Sequence, residues 1–94
     1  MYGLISQFMT QPEKRDELVQ VLAEGSKGMP GCLSYVVARD ATRDDAIWVT
    51  EVWTDKRSHA NSLGLPAVQV ALGKGRPLIT GMGTRIETLP VSLV

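Results

Sequence analysis

Ninety-four residues suffice for one domain, and a chain of this size removes only roughly 60 to 65% of its unfolded surface from water when it folds alone, so a partner readily adds stability. Ten basic residues balance ten acidic ones, which removes the attraction that phosphate backbones and anionic lipid surfaces depend on; nucleic acid and membrane are disfavoured as partners. The single Cys32 cannot pair within the chain, the opening residues lack a basic leader with a long apolar core, and no apolar stretch approaches the ~20 residues of a bilayer span, so a reducing cytoplasm is the expected setting.

Tyr2 to Met9 mixes aromatic, aliphatic and small residues without helical spacing and reads as a strand. Thr10-Gln11-Pro12-Glu13 has the form of a capping box, in which hydroxyl and carboxylate satisfy free backbone donors. It predicts a helix from Pro12 to about Lys27, with Leu18, Val21, Leu22 and Gly25 on the inward stripe. Gly28-Met29-Pro30-Gly31 ends it, because glycine accepts positive φ and proline cannot donate to the helical ladder. Cys32 to Arg39 and Ala46 to Thr54 are β-branched and aromatic, and the polar run from Asp40 to Asp45 suits a hairpin loop between them. The stretch from Thr54 to Leu63 reads as a short polar helix, and Ala67 to Leu72 as a second one that Gly73 and Gly75 close. Leu78 to Leu89 is the last strand, where Gly81 and Gly83 leave room on one face for a neighbouring group or a ligand.

The order is βαββαβ with a split second helix, an α+β, ferredoxin-like arrangement around a four-stranded antiparallel sheet. A sheet with one wet face normally shows polar residues at every second position, and these strands do not. Two helices cover one side. The cheapest cover for the other is a second copy, so the chain is expected to work as a homodimer.

Trp53 ends the third strand beside the polar helix, where an indole either fills core or walls a pocket and donates one hydrogen bond. His59, the only histidine, is either an inert surface residue or the one group that titrates near neutral pH. Glu51 shares a strand face with Trp53, and a carboxylate there must be paired, hydrated or protonated. An ion pair with Arg85 or Arg39 is the ordinary solution, and an acid with a raised pKa the functional one. Tyr35 and Tyr2 are similarly two-sided. One His, one Cys and the adjacent Asp44-Asp45 supply no convergent metal shell, and Gly73-Lys74-Gly75-Arg76 matches no phosphate-cradling fingerprint.

Met29-Pro30-Gly31-Cys32-Leu33-Ser34-Tyr35, Ile47-Trp48-Val49-Thr50-Glu51-Val52-Trp53 and Leu63-Gly64-Leu65-Pro66 together resemble the antibiotic biosynthesis monooxygenase family over nearly the whole chain, residues 1–94 forming a single such domain. The resemblance implies a dimeric α/β barrel and, for some members, oxidation of quinols or aromatic polyketides by molecular oxygen without metal or flavin. Position by position it implies that Trp53 lines the pocket and that His59 falls near a tyrosine of some members. Val49 stands where the quinone-forming members have a polar amide, and Ser62 where many have a helical histidine. Haem-degrading relatives are less similar: the nearest match to their first-strand asparagine is Gln7, and His59 is out of register as an iron ligand.

The leading expectation is therefore a cofactor-independent monooxygenase of a small aromatic or quinol. His59 is its candidate general base, Trp53 the wall, and Tyr35, Gln7, Val49, Ser62 and Glu51 the substrate-binding positions. The alternative is a non-catalytic dimeric small-molecule-binding or stress-response module of the same fold, which Val49 and Ser62 favour. An RNA-recognition domain shares the strand order, but the third strand lacks the basic-glycine-aromatic run used for base stacking.

Overall fold

The computed structural model describes residues 1–94. In chain order these form β1 (Tyr2–Thr10), α1 (Arg15–Gly25), β2 (Cys32–Arg39), β3 (Ala46–Trp53), α2 (Lys56–Ser62), α3 (Pro66–Gly75), a single 3-10 turn (Arg76–Leu78) and β4 (Ile79–Thr88). The sheet is wholly antiparallel, with strand order β2-β3-β1-β4. This is the ferredoxin-like α+β arrangement that the element order implies. None of its helices is long and apolar enough to cross a membrane.

The first helix departs from the capping-box expectation. Thr10 is instead the last residue of β1, where it pairs with Ile79 and its N–H donates to the Asp45 carbonyl at 2.7 Å. The Gln11 N–H is likewise spent on the Leu78 carbonyl at 2.9 Å. Glu13 then takes a left-handed φ of 64°, and α1 begins only at Arg15, without a side-chain cap. Pairing across the sheet has overridden a local signal. The Thr10 hydroxyl is left buried with no partner, a small energetic liability.

At the next junction the local signal and the fold agree. Gly31 sits at φ 78°, its carbonyl accepts the Thr54 N–H at 2.9 Å, and a Cβ there would collide with Ser58. This close approach seats the start of α2 against β2. Asp55 caps α2 by accepting the Ser58 N–H at 2.7 Å. Gly73 lies within α3, Gly75 is its last residue, and the turn Arg76–Leu78 leads into β4.

In β3 the alternate residues Ile47, Val49, Glu51 and Trp53 point towards the helices and are buried, whereas Thr50 on the other face is exposed. Two apolar clusters hold the helical layer to the sheet. One joins Leu18, Ile47, Val49 and Leu78; the other joins Tyr2, Leu4, Met29 and Trp53. Tyr35 packs against both. The opposite face of the sheet carries no helix, and Val36 and Ile86 are about half exposed there.

Candidate functional site

Between the two apolar clusters lies a cavity of about 200 Å³, lined mostly by hydrophobic side chains. Its floor is the sheet, through Leu4, Ser6, Val49 and Trp53; its roof is Leu22 and Gly25 of α1 together with Ala71 and Leu72 of α3. Gly25 is what lets the roof close, because a Cβ there would run into the Ala71 methyl. His59 and Ser62 of α2 complete one end.

At that end polar groups meet. The Trp53 indole N–H donates to Glu51 Oε1 at 3.0 Å, and His59 Nε2 lies 3.8 Å from the same oxygen. The imidazole is packed between two aromatic rings, 5.6 Å from Trp53 in an edge-on arrangement and 5.7 Å from Tyr2. The Ser62 hydroxyl donates to the His59 carbonyl at 2.6 Å, tying the last turn of α2 together. Beyond Tyr2, its phenol donates to Glu87 at 2.8 Å, and Glu87 also pairs with Lys56 at 3.1 Å.

Burial sets the protonation states. It pushes the Glu51 carboxyl above its ordinary value, against the indole hydrogen bond and the positive charge of Arg85, which both favour the anion. It pushes His59 below its ordinary value, and the Arg85 and Lys56 charges act in the same direction while Glu87 opposes them. Each partner is thus driven towards its uncharged form. Near neutral pH the imidazole is a neutral proton acceptor, with the Glu51 carboxyl 3.8 Å from its Nε2. Tyr35 and Cys32 are also raised, chiefly by desolvation with the Glu51 charge second, so Tyr35 acts at neutral pH as a phenol that donates.

Of the residues singled out in the sequence, His59, Trp53, Tyr35, Val49, Ser62 and Glu51 line this one cavity. Gln7 does not. Alternation along β1 puts Leu4, Ser6 and Phe8 on the cavity side and turns Gln7 to the far face, where its amide donates to Asp40 at 3.0 Å. Neither ion pair expected of Glu51 forms: Arg39 binds Asp16 at 2.8 Å on the surface, and Arg85 has no carboxylate within 4 Å. Trp53 combines both of its possible roles, being fully buried and a wall of the cavity. Ser6 and Met82 were not flagged by the sequence. The period-two pattern of β1 carries the signal for Ser6, since a small polar residue in the buried register leaves space beside it. No cluster of three or more His, Cys, Asp or Glu side chains converges anywhere in the chain.

Comparison with known proteins bears on this geometry. The antibiotic biosynthesis monooxygenase family model matches residues 1–74. A crystal structure of a Chloroflexus aurantiacus protein, named as a candidate antibiotic biosynthesis monooxygenase, is 53% identical; the match covers 97% of this chain and 93% of that one with a TM-score of 0.95. Proteins of Deinococcus radiodurans (21% identical, TM-score 0.80, 100% and 96% covered) and Mycobacterium tuberculosis (19% identical, TM-score 0.80, 97% and 95% covered) share the fold. An uncharacterised protein of Synechocystis sp. is 35% identical over 49 residues, which are 49% of this chain and only 33% of that protein's length. With the family model covering most of its length, the chain belongs to the antibiotic biosynthesis monooxygenase family.

Proposed function

We propose that the protein is a cofactor-independent monooxygenase that oxidises a small aromatic phenol or quinol with molecular oxygen, acting within a single domain spanning residues 1–94. The observation that carries this reading is the placement of a desolvated, neutral His59 beside Glu51 at the end of an apolar cavity. Such a reaction asks the protein for three things: to bind the ring, to take its hydroxyl proton, and to keep water from the reduced oxygen species. Leu4, Val49 and Trp53 supply the apolar walls. At about 200 Å³ the space suits one or two fused rings rather than a larger, drug-sized ligand.

His59 takes the phenolic proton, and the resulting imidazolium stays paired with the phenolate it has formed, 3.8 Å from Glu51 Oε1. The phenolate then gives one electron to oxygen, forming a phenoxyl radical and superoxide. These combine at the ring carbon opposite the oxygen, and the imidazolium returns its proton to the peroxide. Loss of the ring C–H proton with cleavage of the O–O bond leaves a quinone and one water, so that phenol and dioxygen are fully accounted for. The Tyr35 hydroxyl, held protonated, is placed to donate to the developing anion.

His59→Ala, assayed by oxygen consumption with electron-rich phenols and quinols in metal-free buffer, is expected to lose roughly 100-fold in kcat, the usual worth of a general base. An unchanged rate would remove His59 from the chemistry.

A non-catalytic binding module of the same fold is the second reading. It is favoured by Val49, which puts an alkyl group in the cavity wall, and by Ser62, whose hydroxyl is consumed by the His59 carbonyl. Binding of the same phenols without any oxygen uptake would select it. Either reading includes a homodimer, supported by Val36 and Ile86 on the uncovered sheet face. A stable monomer at micromolar concentration in sedimentation would overturn that part.

A further inference from the structure

Ten side chains of the protein are cationic, and only one of them, Arg85, lines the cavity. It is also unspoken for. Lys14, Lys27, Arg39, Arg43 and Lys56 make the chain's ion pairs with carboxylates, and Arg85 has none within 4 Å. The arginine hydrogen bonds of the chain belong to Arg15, Arg39 and Arg43. A free guanidinium is common on a surface; one on the rim of an apolar cavity is a fixed charge aimed at whatever enters.

Its position is set by register. Ser6 pairs with Val49 of β3 on one side and with Arg85 of β4 on the other, so Arg85 and the Glu51–His59 end occupy opposite sides of the central strand. Two strand spacings separate β3 from β4, about 10 Å from backbone to backbone. The guanidinium nonetheless reaches near enough for its charge to lower His59 and to oppose the rise of Glu51, so a ligand in the cavity meets imidazole and guanidinium together, with apolar side chains around it.

We propose that Arg85 is the specificity-determining anchor for an acidic substituent, so that the substrate is a hydroxyaryl carboxylate or similar aromatic acid whose ring carbon opposite the hydroxyl still carries hydrogen. The inference rests on the reading of this cavity as the substrate site. Planar, bidentate pairing with carboxylate is what a guanidinium does best, and the half-exposed strand edge leaves the anion partly hydrated, so that its desolvation cost stays small. The neutral His59 does not compete with the guanidinium for the carboxylate, which leaves the ring hydroxyl to face the base.

The test is calorimetric binding under argon, which keeps affinity separate from oxygen chemistry. The probes are a hydroxynaphthoate whose ring carbon opposite the hydroxyl carries hydrogen and the matching carboxamide. The wild type is expected to prefer the acid at least tenfold, the scale of a charge-assisted hydrogen bond. Arg85→Gln should abolish that preference while leaving carboxamide affinity within about twofold, and Arg85→Lys should keep part of it. Because Arg85 is exposed and unpaired, these variants should fold as the wild type does, which circular dichroism checks. Equal affinity for acid and amide in the wild type, or a preference that survives in Arg85→Gln, would overturn the anchor, even if neutral phenols are oxidised. If neither compound binds the wild type and no phenol is oxidised, the cavity is not a substrate site and both proposals fall.

Discussion

The two faces of the sheet each hold a carboxylate that accepts an indole N–H, and the two carboxylates behave oppositely. On the helix-covered face, Trp53 donates to Glu51 at 3.0 Å. On the bare face, Trp48 donates to Asp40 at 2.7 Å, joined by Gln7 at 3.0 Å and by the backbone N–H groups of Thr42 and Arg43 at 2.9 and 3.1 Å. Asp40 lies at the mouth of the β2–β3 hairpin with several donors and access to water, so its carboxyl is held well below the ordinary carboxylate range, chiefly by the Thr42 N–H and then by the indole. Glu51 has one donor and almost no water, so desolvation wins and its pKa rises. The number of donors and the exposure, rather than the type of donor, decide whether such a carboxylate serves structure or chemistry.

The sharpest way to break this contrast is to remove each indole N–H while keeping an aromatic ring. Trp53→Phe leaves Glu51 buried with no donor, which should destabilise the fold by roughly 1 to 3 kcal/mol beyond any loss of packing. Trp48→Phe leaves Asp40 with its four other donors, Gln7, the Thr42 N–H and hydroxyl, and the Arg43 N–H, so urea denaturation should show a clearly smaller loss. Equal losses would mean that the two networks are energetically alike.

A gentler comparison uses amides. Glu51→Gln keeps an acceptor for Trp53 and removes an acid that burial disfavours, so at neutral pH it should stabilise the protein by roughly 0.5 to 2 kcal/mol while turnover falls, the usual trade at a strained functional site. The pH dependence has opposite signs at the two positions. The folded-state pKa of Glu51 lies above its unfolded value, so its protonated form favours folding, and stability is lost as the pH rises from about 4 through the raised value. The advantage of Glu51→Gln should therefore widen with pH over that window. The folded-state pKa of Asp40 is depressed, so its contribution is present above about 4 and is lost as the pH falls through the folded value. Asp40→Asn should accordingly be the less stable form at neutral pH and converge on the wild type in acid. Parallel pH profiles for the two amides would contradict the assignment.

Much of this was legible in the residues. Period-two alternation in β3 put Ile47, Val49, Glu51 and Trp53 on one face, and the six-residue step from Trp53 to His59 brings the imidazole back over the indole once Asp55 caps α2. What the sequence hid was relational. Gln7 sits in the register opposite to Leu4 and Ser6 and so faces away from the cavity, which alternation reveals only once the cavity side of β1 is known. The capping box at Thr10 failed because Asp45, just before β3, and Ile79 of β4 claim that residue from a distance, and local spacing carries no trace of such partners. Arg85 drew notice only as a partner for Glu51. Its role as the lone cation of the cavity depends on a strand-to-strand register with a bulge between Ser6 and Phe8, which no local pattern encodes.

The central claim is that burial keeps His59 neutral and ready to accept a proton beside Glu51. The chain contains one histidine, so its imidazole resonance can be followed by NMR against pH without assignment. A midpoint below about 6.5 is the expected result. A midpoint at or above that value would mean that the ring is solvated or already charged in the resting protein, and it would contradict the role of His59 as the base.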